Sequence, residues 1–242
     1  MSGHSKWSTI KREKGVKDAK RGAVFTKLGN MIAIAARSGT DPAINPSLAL
    51  AIEKAKSSNM PVANIQRAID RVGDKNQAVL EEITYEAYGP GGVAMLIETA
   101  TDNKNRTYPE VRSTVTKNGG ILADAGSVVF QFSRKGIITV DETDDTALLA
   151  ALDAGAEDAR TEDGQLVVYT DVKNFHAVNT SLKDAGLKVV GAELGYLPTT
   201  EVLVSDPETA RKVLKLLDAL DDLDDVVNVY SNADIDDKIT LD

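Results

Sequence analysis

The stretch GVAMLIETATDNKNRTYPEVRSTVTKNGG, residues 92–120, decides the fold class of this chain. Its first part, Gly92–Thr101, has consecutive apolar residues, which is typical of a strand buried on both faces in the middle of a sheet. The T-x-x-E pattern of Thr107 and Glu110 predicts a capped helix start, and Gly119-Gly120 predicts the end of that helix. A central strand followed by a short helix indicates an α+β protein.

The chain after residue 120 continues to alternate between strands and helices. Two neighbouring strands are predicted at Val128–Phe132 and Gly136–Val140. The later pattern predicts helix Thr146–Ala154, strand Leu166–Thr170, helix Val172–Ala185, strand Lys188–Leu197, helix Pro207–Leu220 and strand Val226–Tyr230. Helices of this length between short strands indicate α/β units of the split β-α-β, ferredoxin-like kind, and the chain is long enough for two of them.

Three short amphipathic helices are predicted before residue 75. The first has apolar residues at helical spacing and a glycine stop: Val24, Phe25, Leu28, Ile32, Ala35 and Gly39. Asn45 and Pro46 predict the N-cap and first turn of the second. Pro61 opens the third, whose apolar face is predicted to consist of Val62, Ile65, Ile69 and Val72 before Gly73 ends it. These helices indicate a small bundle, followed by a polar linker at Gly73–Leu80.

Charge is divided unevenly along the 242 residues. Residues 1–75 contain 14 basic and 6 acidic side chains, a net charge of +8, whereas residues 76–242 contain 14 basic and 31 acidic ones, a net charge of −17. Polyanion binding is therefore expected at the N-terminal end, because the remainder would repel phosphates. A solubilising tail is the alternative explanation.

The basic N-terminal end surrounds the only tryptophan of the chain. Flexible cations beside an exposed aromatic ring can hold a phosphate backbone and stack on a base. Alternatively, the tryptophan packs onto the bundle as an anchor. The predicted nucleic-acid-binding residues are Lys6, Trp7, Lys11, Arg12, Lys14, Lys17, Lys20, Arg21 and Lys27.

Two further segments are weaker candidates. Lys104 and Arg106 lie between a strand end and a helix start, where they could converge on an anion at a helix N-terminus, although the turn alone would also explain them. The turn Tyr88–Gly92 (YGPGG) lacks the spacing of a nucleotide-binding loop. A tight turn is favoured for it, and close approach of a flat RNA or protein surface is the alternative.

No catalytic residue, metal site or cofactor is predicted. The chain has no cysteine and only two histidines, His4 and His176, so a zinc site and a Ser-His-Asp arrangement lack their usual parts. The acidic run Asp218–Asp225 could hold a divalent cation, but a solvated helix end is favoured. The lack of cysteine, of a membrane-length apolar stretch and of a signal-peptide pattern predicts a cytoplasmic protein.

A series of short blocks runs along nearly the whole chain: GHSKW (3–7), DAKRG (18–22), FTK (25–27), NP (45–46), AIEKAK (51–56), NMP (59–61), NI (64–65), RAI (67–69), YEAYGPGG (85–92), DNKNRT (102–107), EVR (110–112), KNGG (117–120) and GSV (126–128). Together these blocks resemble the YebC/PmpR family, whose mitochondrial relatives are translational activators of cytochrome oxidase subunits.

The resemblance implies three domains without enzyme activity. They are a basic arm and helical bundle (1–75), a second domain (81–128 with 199–242) and a third domain inserted into it (129–198). It implies either a DNA-binding transcriptional regulator or a factor that acts on ribosomes stalled at proline-rich stretches, with the arm against ribosomal RNA. The oligomeric state stays open, with a monomer as the default.

The sequence departs from the family pattern in the second and third helices. Ser47, Ala49, Leu50 and Val62 occupy positions where relatives often carry Arg or Lys, and Ala87 stands where Gly is usual. The nucleic-acid-binding role that the resemblance implies is therefore assigned to the arm and the first helix alone. RNA is favoured over DNA, because no helix shows the cluster of Arg, Asn and Gln side chains expected for base readout.

Overall fold

The computed structural model describes residues 18–73, 78–162, 164–236 and 238–239, and for residues 18–21 only the backbone. The predicted arm and the centre of the predicted linker lie outside these ranges. The described chain opens with three helices: α1 (Asp18–Ala36), α2 (Pro46–Ser57) and α3 (Val62–Asp70), which a 3-10 turn (Arg71–Gly73) follows. The predicted bundle is therefore confirmed.

The core of the bundle consists of residues from all three helices, centred on Ile32, Leu48, Ile65 and Ile69. Two residues of the predicted apolar face of α3 do not belong to it, since Val62 is 72% exposed and Val72 is 39% exposed. Val62 is the first residue of the helix. Val72 lies in the 3-10 turn, where the α-helical spacing no longer holds.

The second unit is a four-stranded antiparallel sheet in the order β3-β1-β2-β9. Its strands are β1 (Glu81–Tyr88), β2 (Ala94–Thr101), β3 (Ile121–Ala123) and β9 (Val226–Ser231). The helices α4 (Lys104–Lys117) and α7 (Pro207–Asp221) cover one face. The predicted central strand is confirmed, because β2 is an inner strand and Glu98 is its only residue that is not fully buried.

The third unit is formed by residues between β3 and β9. Its elements are β4 (Phe132–Val140), α5 (Asp145–Asp153), β5 (Asp158–Glu162), β6 (Gln165–Thr170), α6 (Phe175–Asp184) and β7 (Val189–Pro198). The sheet is antiparallel in the order β5-β6-β4-β7, which is the β-α-β-β-α-β arrangement predicted. A parallel pair, β8 (Val202–Val204) and β10 (Ala233–Ile235), completes the α+β fold.

The predicted strand Val128–Phe132 is wrong. Residues Val129–Gln131 form a 3-10 turn, and one strand, β4, then runs from Phe132 through Gly136. The carboxylate of Glu86 accepts the backbone N–H groups of Val128 and Val129 at 2.5 and 2.9 Å, which removes them from any ladder. Gly136 lies inside β4 and does not begin a strand. The ring of Phe175 packs directly on it, and a Cβ there would lie 2.4 Å from Cδ2 of that ring.

The predicted capping box of α4 is also wrong. The N-cap is Asn103, whose side chain accepts the N–H of Arg106 at 3.2 Å. Thr107 lies in the first turn with its side chain buried. Five strands were not predicted from sequence. Charged residues interrupt the apolar alternation of β1 and β5, and β3, β8 and β10 have only three residues each.

Candidate nucleic-acid interface

The arm enters the described chain at α1. Lys6, Trp7, Lys11, Arg12, Lys14 and Lys17 lie outside the described residues, and Lys20 and Arg21 belong to α1 with side chains that are not described. Their assignment as nucleic-acid contacts therefore stays a prediction. The structure does show helix α1, which follows the arm, and the contacts that hold this helix in place.

Lys27 is committed to an internal contact. Its side chain is 12% exposed, and its Nζ donates a hydrogen bond to the backbone carbonyl of Asp221 at the end of α7. The carboxylate of Asp221 lies 3.9 Å from the same nitrogen. Lys27 therefore joins the bundle to the second unit in this structure, and a phosphate could reach it only by replacing that contact.

The junction between α1 and α2 is fixed by one buried asparagine, Asn45, which is the predicted N-cap of α2. The Asn45 side chain accepts the N–H of Leu48 at 3.1 Å. Its amide donates to the carbonyls of Ala35 and Gly39 at 2.8 and 2.7 Å. Asn45 thus caps α2 and also satisfies carbonyls at the end of α1, so the first helix is held at a defined angle.

Polar side chains of α3 form hydrogen bonds with one another on the exposed surface of the helix. Gln66 donates to Asp70 at 2.9 Å, and Arg67 donates to Asn64 at 3.2 Å. Arg71, in the turn that follows, donates to Asn30 at 3.1 Å. α3 and this turn thus contain four Arg, Asn and Gln side chains, each with a hydrogen-bond partner in this structure, whereas base readout needs several such side chains directed at base edges in a groove.

Ion pairs also join the bundle to the third unit. Lys54 on α2 lies 2.5 Å from Glu193 on β7, and Glu53 lies 2.7 Å from Lys183 on α6. A cleft of about 440 Å³ lies between the three units, with both apolar and charged side chains in its walls. Ser47 and Leu50 of α2 line this cleft.

The predicted secondary anion site already holds a carboxylate of this chain. Arg106 binds Asp225, and the hydroxyls of Thr101 and Thr107 donate to the same carboxylate at 3.0 and 2.6 Å. Lys104 pairs with Glu81 at 2.5 Å. An external anion at this place stays a prediction, and it would have to displace these internal partners.

Asp225 is the residue of this network that the sequence did not identify. Burial raises the pKa of its carboxyl, but the hydrogen bonds from Thr107, Arg106 and Thr101 outweigh burial and leave the pKa below its ordinary value. The run Asp218–Asp225 predicts a solvated helix end, whereas this last carboxylate is buried.

The glycine-rich turn lies between the end of α4 and the start of α7. Gly91 and Gly92 have positive φ angles of 73° and 76°, so the turn needs glycine at both positions. A Cβ on Gly91 would lie 2.9 Å from Thr209 of α7, and one on Gly119, just after α4, would lie 3.8 Å from Pro90. Gly91 and Gly92 are exposed, whereas Gly89 is buried.

The described residues contain no group of three or more His, Asp and Glu side chains arranged to hold a metal ion. His176 is exposed near the start of α6, and His4 lies outside the described ranges. Over the same part of the chain, none of the helices has the length and apolar character that crossing a membrane requires.

Two family models match the chain and together span most of it. The TACO1/YebC protein N-terminal domain matches residues 5–75, and the TACO1/YebC second and third domain matches residues 80–233. These segments correspond to the bundle and to the two sheets that follow it.

Similar full-length proteins occur in several bacteria. A probable transcriptional regulatory protein of Halothermothrix orenii is 50% identical, with 99% of this chain and 97% of that protein covered. One from Trichlorobacter lovleyi is 51% identical, with 97% and 96% covered. The crystal structure of a conserved hypothetical protein from Aquifex aeolicus is 42% identical and superimposes with a TM-score of 0.86 over 93% of this chain and 95% of that one.

Proposed function

The chain belongs to the TACO1/YebC family, and from that membership we propose that it is a non-enzymatic regulator of gene expression that binds nucleic acid through its basic N-terminal arm. The target is ribosomal RNA. The protein acts in the cytoplasm on ribosomes that stall at proline-rich stretches, without a cofactor.

The observation that carries this proposal is the division of charge. The net charge of +8 over residues 1–75 against −17 over residues 76–242 leaves one end of the molecule attractive to phosphates. The arm continues directly into α1, and α1 is held to the rest of the molecule through Lys27 and Asn45. A basic arm that extends from an anchored helix could enter a narrow channel lined with RNA.

RNA is preferred over duplex DNA because the bundle presents no base-reading helix among its described residues. Arg67 and Arg71 have partners within the bundle. Sequence-specific DNA recognition normally requires several such side chains directed into the major groove. Single-stranded RNA instead requires adaptable cations and an aromatic ring, which the arm contains as Trp7.

A DNA-binding transcriptional regulator without a ribosomal role is the second candidate. It is favoured by the names of the relatives from Halothermothrix orenii and Trichlorobacter lovleyi, both called probable transcriptional regulatory proteins. A specific footprint that survives a modest excess of competitor DNA would support this candidate over the first.

Cosedimentation with ribosomes at low salt tests the proposal directly. The intact chain should pellet with ribosomes, and a variant with Lys11, Arg12, Lys20 and Arg21 changed to Ala should remain mostly in the soluble fraction. For single-stranded RNA, each lost phosphate contact lowers the salt slope of the affinity by roughly 0.7. Equal pelleting of both proteins would show that the arm is not the contact.

A further inference from the structure

Four cations gather at one end of the helical layer of the second unit. Arg112 and Lys117 lie in the second half of α4, Arg211 lies in the first half of α7, and Lys215 lies just past the middle of α7. All four are exposed. These four residues are called the basic end below.

The two helices run antiparallel, which places the segments that carry the four cations side by side. At one end of the layer, Arg106 in the first turn of α4 binds Asp225, which follows the last turn of α7. At the other end, the Pro90–Gly92 turn touches both Gly119 after α4 and Thr209 at the start of α7. The C-terminal half of α4 therefore lies beside the N-terminal half of α7.

Within the described ranges, no ion pair compensates the charge of the basic end. None of its four cations forms an ion pair with another described residue. Most other cations of the acidic part do, among them Lys135 with Glu157 and Lys188 with Asp141. Pairing is thus common on this surface, and the basic end is an exception to it.

The two carboxylates at the start of α7 are already engaged. Glu208 pairs with Lys212 at 2.7 Å. Asp206 accepts the N–H and the hydroxyl of Thr209 at 2.9 and 2.6 Å as the N-cap of α7. Lys212 balances the charge of Glu208, and Asp206 contributes one negative charge, so four unpaired cations lie near one uncompensated carboxylate at the start of α7.

An exposed aromatic ring lies one helical turn before Arg112. Tyr108 is 42% exposed, and its ring packs at 6.0 Å from the ring of Tyr85, which holds it in place. Tyr108, Arg112, Ser113, Thr116 and Lys117 line a shallow open groove along α4. A fixed ring beside unpaired cations has the parts needed to stack a base and hold the adjoining phosphates.

We infer that the basic end is a second RNA contact, which binds the phosphate backbone of a single strand through Arg112, Lys117, Arg211 and Lys215 and stacks a base on Tyr108. Gly91 and Gly92 lie between the two helix ends with no side chain to obstruct the strand. This inference rests on the proposed function, but it concerns the domain that net charge alone would exclude from RNA binding.

The test uses the full-length chain and a labelled single-stranded poly(U) RNA. Three variants are compared with the parent: a basic-end variant (Arg112→Ala, Lys117→Ala, Arg211→Ala, Lys215→Ala), a third-unit control with the same charge change (Lys135→Ala, Arg160→Ala, Lys173→Ala, Lys188→Ala) and the arm variant described above. Dissociation constants are measured over a range of salt concentrations, and thermal melts establish that each variant folds.

The basic-end variant should bind poly(U) roughly tenfold more weakly, with a salt slope smaller by about 2, because several phosphate contacts are lost. The third-unit control should stay within about twofold of the parent. Equal losses of affinity in the basic-end and control variants would overturn the inference. Unchanged affinity in the basic-end variant would also overturn it, and a protein partner would then be the explanation of the surface. Unchanged affinity in the arm variant would refute the proposed function separately.

Discussion

The guanidinium of Arg106 contacts both carboxylate oxygens of Asp225, with Nη2 2.9 Å from Oδ1 and 2.8 Å from Oδ2. The two residues are 119 positions apart in sequence. Thr101 and Thr107 donate hydroxyl hydrogen bonds to the same carboxylate. One buried carboxylate therefore joins the end of β2 and the start of α4 to the start of β9. In sequence, the third unit lies between α4 and β9.

Removal of Asp225 should destabilise the protein more than removal of Arg106. Asp225→Ala leaves the Thr101 and Thr107 hydroxyls and the guanidinium without their acceptor, and we expect a loss of about 2–3 kcal/mol in the free energy of unfolding. Arg106→Ala should cost about 1 kcal/mol, because the arginine is half exposed and the carboxylate keeps its two hydroxyl donors. Urea denaturation measures both. A larger loss in Arg106→Ala would contradict this assignment.

The same carboxylate should make the protein less stable in acid. Its pKa in the folded protein is lower than its ordinary value, so folding favours the ionised form. The resulting stabilisation is present above the unfolded pKa of about 4 and is lost as the pH falls through the folded pKa. Between about pH 5 and pH 3 the urea midpoint of the parent should fall more steeply than that of Asp225→Asn. Parallel curves would contradict the prediction.

Local signals in the sequence were sufficient for the elements that hold the bundle together. Asn45 and Pro46 form the cap and first turn of α2 as predicted, because capping depends only on residues within one turn. The β2 strand was equally predictable, since its unbroken apolar run can be buried only inside a sheet.

Features that depend on distant residues could not be predicted. Glu86 interrupts the apolar alternation of β1, and its partners Gly126, Val128 and Val129 lie about 40 positions away. Asp225 belongs to a run of carboxylates that looks solvated until the fold brings Arg106 to it. The basic end could not be predicted either, because its cations belong to two helices that are far apart in sequence. A count of charges over neighbouring residues does not bring them together.

Glu86→Gln should disrupt the turn that precedes β4. The carboxylate of Glu86 accepts three backbone N–H groups, those of Gly126, Val128 and Val129 at 2.6, 2.5 and 2.9 Å. An amide would present a donor to at least one of them, and we expect a loss of about 1–3 kcal/mol. Glu82→Gln, on the same strand but exposed, serves as control and should change the stability by less than about 0.5 kcal/mol. Equal effects would show that the turn does not depend on the carboxylate.

Two glycine-to-alanine changes should have opposite effects. At Gly136 a methyl group would lie 2.4 Å from Phe175 Cδ2 and from Thr170 Oγ1, so Gly136→Ala should cost about 1–3 kcal/mol through overpacking. Gly22 lies in α1 with no atom within 4 Å of such a methyl group, and Gly22→Ala should stabilise the protein by about 0.5–1 kcal/mol. Calorimetric melts of the two variants test the pair. A stable Gly136→Ala protein would show that Phe175 moves aside easily.

Substitution of two lysines of α1 should distinguish a residue that stabilises the fold from one that binds RNA. Lys27 donates to the carbonyl of Asp221 and is 12% exposed, so Lys27→Ala should lower the free energy of unfolding by about 1–2 kcal/mol through loss of a charge-assisted hydrogen bond. Because this lysine is already engaged, its removal should change the affinity for single-stranded RNA by less than about twofold.

Lys20→Ala is the matched comparison in the same helix. Lys20 belongs to the predicted contact set, and its loss should weaken RNA binding about twofold to threefold and reduce the salt slope by about 0.7, while the melting temperature stays unchanged. Binding isotherms and melts of both variants decide the matter. If Lys27→Ala loses RNA affinity without losing stability, the contact with Asp221 opens when RNA binds, and Lys27 belongs to the contact set after all.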